Sequence, residues 1–122
     1  MTATYSVNDH FTNKAPSVRA LYDQLLSILH TFGPVIEDPK NIEDPKKTSI
    51  HLNRKSALAG VETRKDGLLL NIKSDHQIRS PRIEKAEQIS AKRFHHKVRI
   101  SSPKDLDEEL KAWLKEAYLL SE

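Results

Sequence analysis

Cysteine is absent from the 122-residue chain, and its absence excludes disulfides, thiolate zinc sites and cysteine nucleophiles. A chain without cysteine fits a reducing compartment. No stretch approaches the roughly 18 consecutive apolar residues that a membrane-spanning helix needs, and the N-terminal residues show no basic segment followed by an apolar run. These absences predict a cytoplasmic protein whose partners are not membranes.

Glycine is also scarce, with three residues in the whole chain, which leaves little scope for flexible linkers between domains. The length is that of one ordinary domain. An apolar fraction of 37% and a charged fraction of 30% are typical of a globular domain with a heavily charged surface. We therefore predict a single domain over residues 1–122, with its core in residues 10–120 and a flexible segment at residues 1–9.

Common catalytic motifs are missing as well. The sequence contains no phosphate-cradling glycine loop, no dinucleotide fingerprint and no nucleophile elbow. We therefore assign no catalytic residue and predict no cofactor.

Charge of one sign is concentrated in the middle of the chain. Residues 46–99 hold 14 Lys and Arg against 5 Asp and Glu, whereas the remainder holds 6 against 12. The middle therefore carries +9 and the flanks carry −6. Such segregation indicates either an anionic partner or attraction between oppositely charged parts of one fold.

Amphipathic helices are predicted near both ends. Apolar residues at spacings of three and four run from Val18 to Phe32. Pro16 suits the first turn of this helix, and Gly33 with Pro34 suits its end. A second apolar stripe follows the capping sequence "SSPKD" near the C-terminus.

Between the helices the apolar period changes to two, which predicts strands at "TSIHL", "SALAGVET", "GLLLNIK" and "HHKVRI". The Asp66-Gly67 pair predicts a hairpin turn with positive φ between the second and third of these strands. Residues 34–47 contain the duplicated "IEDPK" and are predicted to be a surface loop. Residues 74–93 are predicted to combine a loop with a short helical turn around "RIEKAEQI".

These elements predict an α+β fold. It consists of an N-terminal helix, a mainly antiparallel sheet of about four strands and a C-terminal helix, with both helices on one sheet face.

The adjacent histidines His95 and His96 lie in the last predicted strand, where successive side chains face opposite ways. They cannot both bind one ion from a regular strand, and no helical histidine pair encloses an acid. A transition-metal site would need convergence of residues distant in sequence, and we predict no metal. His96 shares its face with apolar residues, so it is expected to be a neutral core histidine, or a general base if it lies in a cleft.

The other sheet face is basic, because alternation places on it His51, Asn71, Lys73, His95, Lys97 and Arg99. We predict that this face binds an anionic partner, which is either a nucleic acid or an acidic protein. It offers no stacking aromatic residue, and this counts against recognition of single-stranded bases. The candidate binding residues on the face and its adjoining turns are His51, Arg54, Lys55, Arg64, Lys65, Lys73, His95, Lys97 and Arg99.

Three alternatives remain open. An enzyme is favoured if His96 lies in a deep pocket, or if Asp44, Glu62 and Arg64 form a metal-dependent nuclease site. An adaptor or self-associating module would instead expose an apolar patch around Leu69 or on the outer surface of the helices. The carboxylates of the duplicated "IEDPK" lack the glycine turn and alternating ligands of a calcium loop. Both a monomer and a homodimer are consistent with the sequence.

The segments "APSVRALYDQLL", "FGPV", "PKKTSIHL", "ALAGVETRKDGLLLNI", "ISAKRFHHKVRISS" and "DLDEELKAWLKEAY", in this order and spacing, give the chain a family resemblance. It resembles the bacterial family called domain of unknown function 5655 over residues 10–120. The resemblance implies a small α+β domain, and it carries over no catalytic residue. The duplicated block lengthens one connection relative to that family.

Overall fold

The computed structural model describes residues 8–11, 14–39 and 50–121. Two short 3-10 turns, Asn8–Phe11 and Pro103–Asp105, accompany the longer elements. These longer elements are α1 (Pro16–His30), β1 (Ile36–Pro39), β2 (Ile50–Asn53), β3 (Ala57–Thr63), β4 (Leu68–Ser74), β5 (Ile83–Ser90), β6 (Arg93–Ile100) and α2 (Glu108–Leu119).

The strands form one antiparallel sheet in the order β1-β2-β3-β4-β6-β5. The predicted α+β class, the antiparallel pairing and the helix at each end are confirmed. The predicted number of about four strands is wrong, because the sheet has six. The two additional strands, β1 and β5, lie at its two edges.

Strand β5 corrects the prediction of a helical turn around residues 82–89. Its Glu, Lys, Ala and Gln residues favour helix, but β5 pairs with β6 in a hairpin joined by residues 91 and 92. Its residues from 84 to 90 are all exposed, so the strand has no buried face to produce a period of two. Backbone pairing therefore overrides local propensity here.

Strand β1 occupies part of the segment predicted as a surface loop. Residues 36–39, from the first copy of "IEDPK", pair with β2. Proline is tolerated at a sheet edge because an edge strand leaves some of its N–H groups outside the ladder, and Pro39 ends this edge strand. The second copy, together with the rest of the predicted loop to residue 47, lies outside the described residues.

The core is one buried cluster that combines both helices with alternate residues of the strands. Leu25 of α1 and Leu114 of α2 are fully buried with Val61, Leu70 and Val98 of the sheet. We call the sheet face that carries these three strand residues the inner face. Burial of fully enclosed aliphatic side chains contributes about 1.5–3 kcal/mol each, so this face is the main source of stability.

Both predicted glycine positions are structurally required, for different reasons. Gly33 follows α1 with φ of +148°, and a side chain there would collide with the hydroxyl of Tyr118. Gly67 lies in the predicted β3–β4 hairpin but does not have positive φ. Glycine is required there because the backbone at Ile100 lies close to it, and a Cβ atom would lie 2.5 Å from the carbonyl oxygen of Ile100.

The start of the C-terminal helix is later than the capping sequence predicts. The carboxylate of Asp105 accepts hydrogen bonds from the N–H groups of Ser101 and Ser102, at 2.8 and 3.2 Å. These residues border a 3-10 turn, and α2 begins at Glu108 with Asp107 as its N-cap. The Asp107 carboxylate accepts a hydrogen bond from the N–H of Leu110 at 3.1 Å.

Candidate anion-binding site

The sheet face opposite the inner face carries the predicted basic residues. In β6, His96 and Val98 are buried, whereas His95 and Lys97 are half-buried and Arg99 is exposed. This alternation assigns His95, Lys97 and Arg99 to the second face, which we call the outer face. The adjacent histidines therefore point apart, as the sequence predicts.

Strand register brings outer-face residues from four strands together. His51 of β2 is opposite Gly60 of β3, which is in turn opposite Asn71 of β4. Two residues further along β4, Lys73 is opposite His95 of β6. Because Gly60 has no side chain, this row leaves a hollow in the surface.

The hollow is a cavity of about 100 Å³, which we call the outer-face pocket. Its polar lining residues are His51, Asn71, Lys73, Arg93 and His95, and residues 57–60 line the rest. Three of the nine predicted binding residues therefore converge here.

The cationic groups of the outer-face pocket affect one another. Burial and then the nearby charge of Arg93 lower the pKa of Lys73. Burial and then Arg93 also lower the pKa of His95, although Glu87 on β5 opposes this effect. Burial and the charge of Arg93 thus make both Lys73 and His95 harder to protonate, and an anion in the pocket would offset both effects.

Two polar groups of the pocket bear on ligand binding. Lys73 Nζ donates to Ser56 Oγ at 3.2 Å, which holds the ammonium group against the β2–β3 turn. The buried Oδ1 atom of Asn71 has no hydrogen-bond partner within the described residues. Oδ1 is an acceptor, so it can accept a hydrogen bond from a neighbouring cation or from the hydroxyl of a protonated phosphate, but not from a carboxylate.

A second cavity of about 310 Å³ lies at the β3–β4 hairpin. Its lining includes Arg64, Lys65, Leu69 and Arg99, so three further predicted residues and the apolar Leu69 meet there. Two of its cations are paired. Arg64 Nη2 lies 2.8 Å from a Glu62 carboxylate oxygen, and Arg99 Nε lies 3.4 Å from a carboxylate oxygen of Glu84 on β5.

The remaining predicted residues lie elsewhere. Lys97 lies between His95 and Arg99 on the outer face and lines neither cavity. Arg54 is engaged with α2, because its guanidinium lies 4.3 Å from the ring centre of Tyr118 and donates to the Tyr118 carbonyl at 3.2 Å. Lys55 is exposed at the β2–β3 turn, where its backbone N–H donates to the carbonyl of Ser121 at 3.0 Å.

Arg93 is a pocket residue that the sequence-based set omits. The same alternation would have found it, because Arg93 is two residues before His95 and therefore on the same face. It was missed because the predicted strand began at His95, whereas β6 begins at Arg93. The role of Gly60, which leaves space for the pocket, could be recognised only from the register of three strands.

His96 has the environment of a core residue. It is fully buried, and its Nε2 atom accepts a hydrogen bond from the N–H of Ile78 at 2.9 Å. Burial lowers its pKa, so the neutral form is favoured. Neither of the two cavities is lined by His96.

The described residues do not bring together the carboxylates that the nuclease hypothesis requires. Glu62 and Arg64 form the ion pair noted above, and Asp44 lies outside the residues that the structure describes.

Comparison with known proteins identifies the family. The family described as domain of unknown function (DUF5655) matches residues 7–121. The chain belongs to this family. No curated protein and no solved structure matches it significantly. In the described part of this DUF5655 domain, no helix has the length and apolar character needed to cross a membrane.

Proposed function

We propose that this DUF5655 domain is a cytoplasmic binding module whose outer-face pocket holds an anionic group of its partner. The observation that carries the proposal is the convergence of Lys73, Arg93 and His95 in one concave site. Their side chains come from two neighbouring strands, and residues 72 and 98 of those strands are fully buried on the inner face. The cations are therefore held on a rigid support, which reduces the entropy lost on binding.

The size of the pocket restricts the ligand. Sites for whole small molecules usually occupy roughly 300–1,000 Å³, whereas this one has about 100 Å³. A single phosphate or carboxylate group fits such a volume. The rest of the partner would lie across the outer face, where Lys97 continues the positive surface.

The partner is proposed to be an acidic protein or a nucleic acid, and the pocket favours contact with its acidic groups. The polar lining contains histidine, asparagine, lysine and arginine but no Phe, Tyr or Trp. Stacking on aromatic side chains is the usual means of holding unpaired bases. We therefore expect phosphate or carboxylate contacts to supply the affinity and to weaken as salt rises.

The first test measures the binding of inorganic phosphate to the outer-face pocket. Histidine ring signals followed by NMR across pH should show the pKa of His95 rising when phosphate is added, because the bound anion stabilises the imidazolium. The variant Arg93→Gln should lose most of this response. Lys115→Gln, which removes one charge from an exposed residue of α2, is the matched control and should retain it.

The second test determines which class of anionic partner the domain binds. Fluorescence anisotropy with labelled single-stranded DNA, double-stranded DNA, RNA and poly-glutamate should show binding that weakens with salt. We expect Lys73→Gln and Arg93→Gln each to weaken it about tenfold or more, since a hydrogen bond to a charged group contributes about 1.5–3 kcal/mol and about 1.4 kcal/mol is tenfold in affinity. If these variants bound as tightly as Lys115→Gln, the proposal that the partner binds at the outer-face pocket would be refuted.

A further inference from the structure

A second polar cluster lies where strand β4 ends and helix α2 passes beside it. Asp75 and His76 directly follow β4, and Glu116 projects from α2. His76 Nδ1 lies 2.8 Å from Oδ1 of Asp75 and 3.2 Å from Oε1 of Glu116. The nitrogen and oxygen donor atoms of the three residues all lie within 4.8 Å of one another.

These separations match those of atoms that share a metal ion. Zinc bonds to nitrogen and oxygen are about 2.0–2.2 Å long, so two ligands of a tetrahedral or octahedral ion are roughly 2.8–3.6 Å apart. Both distances from His76 Nδ1 lie within this interval. An ion could therefore be accommodated by small side-chain rotations, without moving β4 or α2.

The two carboxylates beside Nδ1 require either a proton or a cation at that nitrogen. Two carboxylate oxygens lie against this nitrogen, and an unprotonated imidazole would turn its lone pair towards them. A proton on Nδ1 is one solution, and a bound cation is the other. A metal ion would replace the proton and also interact directly with both carboxylates.

The surroundings support a hydrated ion. The buried Ser74 hydroxyl lies 3.3 Å from His76 Nδ1 and accepts a hydrogen bond from the His76 backbone N–H, which fixes the turn that presents the ring. The side chains of His76, Asp75 and Glu116 are 57%, 50% and 39% exposed. Water can therefore complete the coordination shell, as in three-ligand zinc sites.

We propose that Asp75, His76 and Glu116 form a binding site for a divalent transition-metal ion of the Zn²⁺ type, separate from the outer-face pocket. The imidazole ligand favours zinc and neighbouring transition metals over Mg²⁺ and Ca²⁺, which prefer oxygen-only sites. Because the ligands come from the turn after β4 and from α2, the ion would link the end of that strand to the C-terminal helix. Binding should therefore raise the thermal stability of the domain.

The test is calorimetric titration of the full chain with Zn²⁺, after treatment with a chelator. We expect one saturable site, and His76→Ala and Glu116→Gln should each weaken it at least tenfold, since loss of supporting groups alone costs 10- to 100-fold. Mg²⁺ should not compete. His30→Ala and Glu108→Gln remove an exposed histidine and an exposed glutamate elsewhere, and these controls should bind Zn²⁺ as the unaltered chain does.

A second readout is independent of the titration. Zn²⁺ should raise the melting temperature of the unaltered chain and of both controls, but not that of His76→Ala or Glu116→Gln. Circular dichroism of the metal-free variants checks that each is folded. The proposal is overturned if Zn²⁺ shows no saturable binding, or if the ligand variants bind Zn²⁺ as tightly as the controls.

Discussion

Replacing Gly33 by alanine provides a quantitative test of the link between the end of α1 and helix α2. Gly33 has φ of +148°, a conformation that costs a residue with a side chain about 1–3 kcal/mol. The added Cβ atom would also collide with the Tyr118 hydroxyl. That hydroxyl donates to the Pro34 carbonyl at 3.1 Å, and loss of such a bond costs about 0.5–1.5 kcal/mol.

Together these effects predict that Gly33→Ala lowers the free energy of unfolding by about 2–4 kcal/mol. Equilibrium denaturation in urea measures this change. Tyr118→Phe removes the hydrogen bond alone and should cost about 1 kcal/mol. In the double variant the bond is already lost, so the two costs should fall short of additivity by about 1 kcal/mol.

Gly60→Ala is the matched control. Gly60 does not have positive φ, and its added Cβ atom would meet only Asn71 Cβ, at an ordinary distance of 4.0 Å. This change should be neutral or stabilise by roughly 0.4–1 kcal/mol. If Gly33→Ala cost no more than Gly60→Ala, or if Gly33→Ala and Tyr118→Phe were fully additive, the proposed contact between residues 33 and 118 would be refuted.

Three further predictions concern stability. Arg82→Ala should lower the free energy of unfolding, measured by urea denaturation, by about 1–3 kcal/mol. The reason is that the guanidinium donates to Asp107 at 2.8 Å and to the Asp105 carbonyl at 2.6 Å. Arg82→Lys should recover only part of this loss, since lysine lacks the planar guanidinium that makes both bonds. Leu110→Ala should cost about 2–5 kcal/mol in the same assay, because Leu110 is fully buried, and a cost below 1 kcal/mol would contradict its place in the core. The third concerns His96, whose pKa in the folded chain is held below the ordinary value of 6.5. The unfolded chain therefore binds a proton more readily, and stability should fall as pH drops below about 6.5. His96→Gln should reduce this acid dependence in melting curves recorded with a chelator, and an unchanged dependence would contradict the assignment to His96.

Patterns in the sequence predicted the elements that have one buried face. Strands β4 and β6, and most of β3, alternate between buried and more accessible positions, so Leu70 and Val98 could be assigned to the core from their period alone. The edge strands lack that signal. Strand β5 is exposed along nearly its whole length, and β1 contains a proline. Their pairing depends on neighbouring strands and could not be inferred from local composition.

The two candidate sites differ in how far the sequence could predict them. The outer face follows from alternation, which is a local property, and so His51, Lys73 and His95 were identified correctly as outer-face residues. The pocket within that face depends on register, because Gly60 must lie between His51 and Asn71 to leave space. The cluster of His76 with Glu116 depends on how α2 packs beside β4. This cluster brings together residues distant in sequence, a possibility that the sequence analysis left open, and no sequence motif predicts it.

The arrangement also makes binding experiments at the outer-face pocket interpretable. Lys73 and Arg93 point away from the inner face, whereas the neighbouring residue Ile72 is fully buried among the core residues. Replacing these cations by glutamine therefore removes charge without creating a cavity, and surface changes of this kind usually alter stability by less than about 0.5 kcal/mol. Loss of binding in such variants can then be attributed to the pocket. A large loss of stability would instead mean that the repulsion inferred among the cations is already offset by contacts within the fold, and the electrostatic case for an anionic partner would fail.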